Sequence, residues 1–504
     1  LEKSGTGRVL THCHTGSSEQ PQAPPVCWLS KAFVRRELTT MHFTANKETF
    51  AMPSSFGRRR HETPDHPDQS TRGASSMSAT LTAAPAARSN FGPMMIIGML
   101  FFIFGFVTWL NGPLITFVKL AFQVDDFYAF LVPSAFYLSY FFLSLPASLV
   151  LRRTGMKKGM ALGLFVMAVG ALLFGQFVSM RVFAGALTGL FVIGAGLSLL
   201  QTASNPYISI LGPIDSAAQR IAFMGICNKV AGILAPVLIG TLVLHGIGDL
   251  DQKVKAADPV TREALLNEFA SRIHAPYLFM AGVLVLLAIW IARSSLPDIE
   301  ASSANSTPAR AGDAMASHSI MHFPHLWLGV LCLFVYVGVE VMAGDAIGTY
   351  GAGFHLPLDQ TKFFTAFTLG AMLLGYVAGL LLIPKIVSQQ RYLAISAVLG
   401  VLFSIGAFLT QGYVSVGFVA SLGFANAMMW PAIFPLAIKG LGALTERGSA
   451  LLIMAIAGGA VIPQLFVHLK EHVDFQLAFM LLMVPCYLYI LFYGLAGHRV
   501  GQRR

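Results

Sequence analysis

Charge is scarce in this chain of 504 residues, where Asp, Glu, Lys and Arg together make up 12%. A soluble globular chain carries about 25%, and half of that cannot cover a water-facing surface of this size. Apolar residues account for 55% of the chain and the mean hydropathy is +0.66. A secreted domain, a cytoplasmic enzyme and a soluble nucleic-acid binder are excluded together. Cysteine is also rare. Cys13, Cys27, Cys227, Cys332 and Cys486 include no CxxC pair, and the last three lie in apolar runs. A disulfide framework or zinc site is therefore not expected, and each of those three reads as a small hydrophobe. There is no signal-peptide apolar core, phosphate-binding loop or nucleophile–base motif. No enzyme activity, metal or other cofactor is expected.

The charge that is present is uneven. Residues 1–92 hold 11 Lys/Arg and 7 Asp/Glu, leaving 23 and 17 for the other 412 residues. This polar tail contains QPQAPP, Arg58-Arg59-Arg60 and TPDHPDQSTRGASS, and reads as disordered because it has too little apolar surface to offset ordering entropy. Met77 opens a short polar lead before the first apolar run. The expectation is that residues 1–76 are upstream sequence, with a flexible regulatory tail as the rival. N-terminal sequencing of native protein distinguishes the two.

From Pro93 onward, apolar runs recur. A helix rises ~1.5 Å per residue and the hydrocarbon core is ~30 Å thick, so a span needs about 20 residues. Twelve spans are expected, at 94–119, 128–151, 157–179, 182–211, 221–245, 275–294, 323–350, 361–384, 391–411, 413–440, 446–468 and 474–495. The fold class is an all-α membrane protein with two six-helix halves. The expected domains are a tail (1–92), a first half (93–294), a polar linker (295–322), a second half (323–496) and a basic C-terminal tail (497–504).

The net charge of +10 fits membrane orientation better than a nucleic-acid partner, because Lys and Arg collect in cytoplasmic loops. Arg152, Arg153, Lys157, Lys158, Arg220, Arg293, Lys385, Arg391, Lys439 and Arg447 all fall on the side of both termini, which the rule makes cytoplasmic. The chain also resembles itself. SAFYLSYFFLSLPASLVLRRTGMKK from Ser134 parallels TAFTLGAMLLGYVAGLLLIPK from Thr365, an offset of 365 − 134 = 231. Such internal repeats are typical of transporters that rock about a midplane site; chance likeness between apolar helices is the alternative.

The runs FFIFGFVTWLNGPLITFVKLAF (101–122), QTASNPYISILGP (201–213), FMGICNKVAG (223–232) and WPAIF (430–434) resemble the fucose–galactose–glucose:proton symporters of the major facilitator superfamily. The likeness extends over about 94–496, and the wording is nearest the bacterial N-acetylglucosamine/hexose permease subgroup. The resemblance implies the major facilitator fold, with spans one, four, seven and ten around a central cavity. It also implies proton-driven monosaccharide import across the bacterial inner membrane by alternating access. Carried over residue by residue, an acidic proton site of the family falls on Gly112 and a second acid on Gln201. A span-five amide is kept as Asn228, a neighbouring one falls on Gly225, and a sugar-facing aromatic falls on Trp430. Coupling through the fucose-type acids is therefore in question, and fucose is a less favoured substrate.

Ionisable groups at mid-bilayer cost ~2.5–3.5 kcal/mol or more on insertion scales. Lys229, Glu340 and Asp345 stand out on that ground as proton-coupling candidates. Glu340 lies 340 − 324 = 16 residues into its span, ~24 Å along the axis. It is the first choice for the proton carrier, since a carboxyl in a cavity can load and release a proton as water access changes. With the offset of 231 it is the counterpart of Trp109. A structural carboxylate is the alternative. For Lys229 one reading is a coupling role, pairing with Glu340 or Asp345 in one conformation and releasing it in another, and a structural role is the alternative; at ~12 Å into span five, its depth argues against a simple permanent pair. Asp345, in AGDAIGTYG, is expected nearer the mouth and the water boundary.

Sugar binding needs amides and hydroxyls for the ring's hydroxyl groups and an aromatic face for its C–H side. Gln201 and Asn205, Asn426 and Trp430, and Thr108 and Asn111 are spaced i, i+4 or i, i+3, which puts each pair on one helix face. Asn228 adds an amide, and interhelical glue is the plain alternative for each amide. Arg152, Arg153, Lys157 and Lys158 are gating candidates, or set topology alone. The expected partners are a monosaccharide, protons and membrane lipid, with no obligate protein partner and a monomeric state. A sugar receptor of transporter fold, a uniporter and an exporter stand as alternatives.

Overall fold

The computed structural model describes residues 91–210, 217–294, 296, 319–383 and 385–502. The tail expected at 1–92, save its last two residues, and nearly all of the linker lie outside that set. The described residues contain twelve helices long and apolar enough to cross a membrane. In chain order, spans one to six are Gly92–Ala121, Asp126–Thr154, Met156–Ser179, Phe183–Asn205, Gln219–Leu242 and Pro259–Arg293. Spans seven to twelve are Pro324–Gly344, Leu358–Leu382, Gln389–Leu409, Gly412–Ile438, Thr445–Leu469 and Phe475–Leu495. Successive spans alternate in direction. One face, here the terminal face, carries the start of span one and the end of span twelve; the opposite face is the far face.

Several of these elements are interrupted, and the interruptions of spans one, seven and ten shape the site. Span one breaks at Trp109–Leu110, between helices Phe91–Thr108 and Asn111–Ala121. Span seven stops at Gly344 and resumes as Ile347–Ala352, with Asp345 and Ala346 between. Span ten divides into Gly412–Asn426 and Met429–Ile438. An interrupted helix inside a membrane needs protein around its freed backbone groups. Accordingly Asn111, Asp345 and Asn426 are all buried.

Small residues let the helices close on one another. A methyl group built on Gly105 in span one would sit 2.3 Å from the Asn228 carbonyl oxygen in span five. One on Gly458 in span eleven would sit 1.8 Å from the Phe334 carbonyl oxygen in span seven. Between the fifth and sixth apolar runs, where a short surface helix was expected, lie Ile247–Ala256 and then Pro259–Ser271, the latter forming the first part of span six. Asp258 caps the second helix by accepting from the Val260 and Thr261 N–H groups at 3.1 and 3.2 Å, with Pro259 at the first helical position, where a missing N–H costs nothing.

The first six spans meet the last six mainly through span two on eleven and span five on eight. Ser134 donates to the Ala460 carbonyl at 3.3 Å, and Gly225 faces the ring of Tyr376. Ion pairs tie these seams at both faces. On the far face Asp126 binds both Lys119 and Lys470, and Lys362 donates to the Leu244 carbonyl at 2.9 Å. On the terminal face Arg152 pairs with Glu446 at 3.1 Å.

Candidate functional site

A cavity lies between the two sets of six helices. It is lined from span one by Phe101, Phe104, Thr108 and Trp109, from span two by Tyr137 and Tyr140, and from span four by Gln201 and Asn205. Span five contributes Gly225, Asn228 and Lys229, and span seven contributes Tyr336 and Glu340. Tyr376 and Trp430 come from spans eight and ten.

At its centre the Lys229 ammonium lies 3.0 Å from a Glu340 oxygen, with the two side chains 7% and 13% exposed. The same ammonium sits 4.3 Å from the centre of the Trp109 ring, a cation–π contact that strengthens when desolvated. Trp109 in turn donates Nε1–H to Asn228 Oδ1 at 3.2 Å. Spans one, five and seven are thus tied together through one ammonium group. Trp109 and Glu340, 231 residues apart, both touch it.

This contact is the pairing that was one reading of Lys229 for one conformation, and it revises the depth assigned to that residue. The helix carrying Lys229 begins at Ala217 rather than 221, so Lys229 is 229 − 217 = 12 residues in. That is ~18 Å along the axis against ~24 Å for Glu340. The four-carbon stem of lysine covers the difference.

Asp345 is also not where its sequence position suggested. It is 1% exposed, not at a water boundary, because the Ile347–Ala352 helix continues the chain beyond it toward the far face. Its Oδ2 accepts from the Tyr137 hydroxyl at 3.2 Å, and its Oδ1 has no hydrogen-bond partner. Across the span one–span seven contact it meets Gly112. A methyl group there would lie 3.4 Å from Asp345 Oδ1 and 2.5 Å from Thr365 Oγ1.

The sugar-binding candidates separate into two groups. Thr108, Gln201, Asn205, Asn228 and Trp430 line the cavity. Gln201 donates to the Tyr140 hydroxyl at 2.9 Å, and Trp430 stacks on Phe434. Asn111 and Asn426 do not line it. Asn111 is 1% exposed, and Asn426, fully buried, accepts from the Tyr487 hydroxyl at 2.8 Å. The physical reason is common to both. Each was placed by helical spacing from a partner across a point where the helix is interrupted, Thr108 to Asn111 and Asn426 to Trp430. Once the helix breaks, i, i+3 and i, i+4 no longer mean one face.

Among the gating candidates, Arg152 finds its acid in Glu446 of span eleven rather than in its own turn. Lys157 donates to the Ser294 carbonyl at 2.7 Å, while Arg153 and Lys158 are exposed. Sequence reasoning missed the tyrosines. Tyr137, Tyr140, Tyr336 and Tyr376 give the cavity four phenolic hydroxyls. Their signal was a polar-tipped aromatic at mid-span, most visible in FYLSYFF (136–142). One trio of metal-ligand type exists among the described residues. His468, Glu471 and His472 are exposed on the far face, outside the cavity.

The profile of the Major Facilitator Superfamily matches residues 97–463. A glucose/galactose transporter of Brucella abortus is 32% identical over 82% of this chain and 96% of its own length. The L-fucose-proton symporter of Escherichia coli K12 is 29% identical over 75% of this chain and 87% of its own. Among solved structures, that of the transporter FucP in the outward conformation superposes with a TM-score of 0.66 at 26% identity, covering 83% of this chain and all of that one. The inward-open xylose transporter XylE of E. coli, at 12% identity and a TM-score of 0.58 over 79% of this chain and 95% of its own, shares the fold.

Proposed function

The chain belongs to the major facilitator superfamily, and from that premise we propose that it imports a monosaccharide together with protons by alternating access. The carrying observation is the composition of the cavity. Amides, four tyrosine hydroxyls and the Trp109 and Trp430 rings surround a buried ion pair between the two six-helix sets. Amides and hydroxyls match the hydroxyl rim of a pyranose, and an aromatic face matches its apolar side. The relatives named above are transporters.

Glucose or galactose is the favoured substrate class, in line with the glucose/galactose transporter of Brucella abortus. N-acetylglucosamine is the rival that the sequence wording suggests. Thr108, Gln201, Asn205, Asn228 and Trp430 are proposed to contact sugar. The terminal face, rich in Arg and Lys, is proposed to be cytoplasmic, in a bacterial inner membrane, with the chain acting as a monomer. Ion pairs at both faces, formed together in this structure, are the proposed latches of the two gates: Asp126 with Lys119 and Lys470 outside, Arg152 with Glu446 inside.

Uptake of a labelled sugar panel by a host lacking its own sugar permeases tests the reading, first with a pH gradient and then with a protonophore. Accumulation that collapses with the protonophore is expected. Binding without uptake would indicate a receptor, and equilibration without accumulation a uniporter.

A further inference from the structure

We infer that the transported proton is carried by Asp345 rather than by Glu340, with the Tyr137 hydroxyl as the link between that carboxyl group and the sugar cavity. The inference deepens the proton-coupled reading above and rests on it.

Two buried carboxyl groups lie near the cavity, and they differ in their partners. Glu340 is matched by the Lys229 ammonium at 3.0 Å, so its charge is already balanced. Asp345 has no such match. Facing it are the Gly112 backbone from span one, Tyr137 from span two, Glu340 from its own helix and Lys229 from span five, and the lysine is held by Glu340. One of its oxygens takes the Tyr137 hydroxyl, and the other, with no well-formed hydrogen bond, is approached by the uncharged Gly112 backbone alone. An unpaired buried carboxylate is costly, and the cost is removed when the group binds a proton.

Position supplies the second argument. Tyr137 lines the cavity on one side of Asp345. On the other side a separate vestibule opens toward the far face, lined by Thr116, Lys119, Gly348 and Thr349. Thr116 is four residues from Gly112 within the unbroken helix Asn111–Ala121, so the vestibule ends about one helical turn from the Gly112–Asp345 contact. Asp345 therefore stands in the partition between two chambers, at the break in span seven. A proton carrier in an alternating-access cycle needs this placement. It takes H⁺ from hydronium admitted on one side, becoming a neutral acid, and returns H⁺ to water when the other side opens. A sugar hydroxyl that engages Tyr137 competes with Asp345 for the same O–H, which links sugar occupancy to the charge on the carboxyl group.

The test uses the full chain in proteoliposomes with a trapped pH dye and labelled sugar, read as protons moved per sugar moved. At one proton per sugar, an imposed gradient of about two pH units drives ~100-fold accumulation. Asp345→Asn should reduce the proton-to-sugar ratio to near zero and accumulation to ~1-fold, whatever turnover is left. The charge-free double variant Lys229→Met/Glu340→Gln should keep the wild-type ratio even though its turnover falls. The reverse pattern, with the ratio kept by Asp345→Asn and lost by the double variant, would overturn the inference. A second measurement needs no variant. A hydrophobic carbodiimide, which reacts with protonated buried carboxyl groups, should label Asp345 in the wild-type chain, and sugar should change the labelling rate. Labelling confined to Glu340 would contradict the assignment. Wild-type transport without any proton movement, or driven by sodium, would instead sink the proton-coupled reading beneath it.

Discussion

Removing Glu340 alone should damage the protein more than removing Glu340 and Lys229 together. At 3.0 Å and an effective dielectric of ~20, the pair's attraction is ~332/(20 × 3), about 5.5 kcal/mol, before desolvation is counted. That gain largely offsets the desolvation of both ions, so replacing a buried pair with neutral side chains of like shape is often close to neutral, whereas breaking it costs ~3–5 kcal/mol. Glu340→Gln leaves the ammonium with the Trp109 face, a contact worth up to ~2 kcal/mol when desolvated. The single variant should therefore lose about 2–4 kcal/mol and the double variant Lys229→Met/Glu340→Gln about 1 kcal/mol. Reversible unfolding in mixed micelles measures all four corners of the cycle. A double variant whose loss equals the sum of the two singles would refute the reasoning, because it would mean that the charges do not compensate each other.

Other consequences can be tested separately. Gly105→Ala and Gly458→Ala force a methyl group to 2.3 and 1.8 Å from backbone carbonyl oxygens, and overpacking of that kind costs ~1–3 kcal/mol. Gly370→Ala, with nothing within 4 Å of the new methyl, is the control, and equal unfolding midpoints for all three would contradict the packing account. Trp430→Ala should raise the KM for sugar ~5-fold, on the scale of about 1 kcal/mol for an aromatic contact; an unchanged KM would remove Trp430 from the binding site. Arg152→Gln should leave the unfolding midpoint where it is, since exposed ion pairs add little to stability. It should nonetheless speed alkylation of a cysteine placed at Ile221, a lining position toward the terminal face. Unaltered labelling would show that Arg152–Glu446 is not a latch.

The fold was legible in the sequence because hydropathy is a local property and twelve apolar runs of sufficient length could be read one at a time. The rarity of charge in those runs singled out Lys229, Glu340 and Asp345. Their relations were not legible, because they depend on where helices start and stop. Span five begins four residues earlier than its apolar run suggested, which narrows the depth difference between Lys229 and Glu340 to what the lysine stem covers. The short helix Ile347–Ala352 turns an expected mouth residue into a buried one. Asn111 and Asn426 lie outside the cavity for the same kind of reason, since helical spacing was carried across breaks whose local marks were Gly112-Pro113 and Pro431. The tyrosines were passed over because each has an apolar body that blends into its run, and only the assembled cavity reveals which hydroxyls face inward.

The central claim is that sugar entry brings protons with it. The most direct measurement is the pH of a lightly buffered suspension of de-energised cells expressing the chain when glucose or galactose is added. The account predicts an immediate alkalinisation of the medium that scales with sugar uptake and is abolished by a protonophore. Sugar entry at an unchanged external pH, or entry that follows an imposed sodium gradient instead, would contradict it.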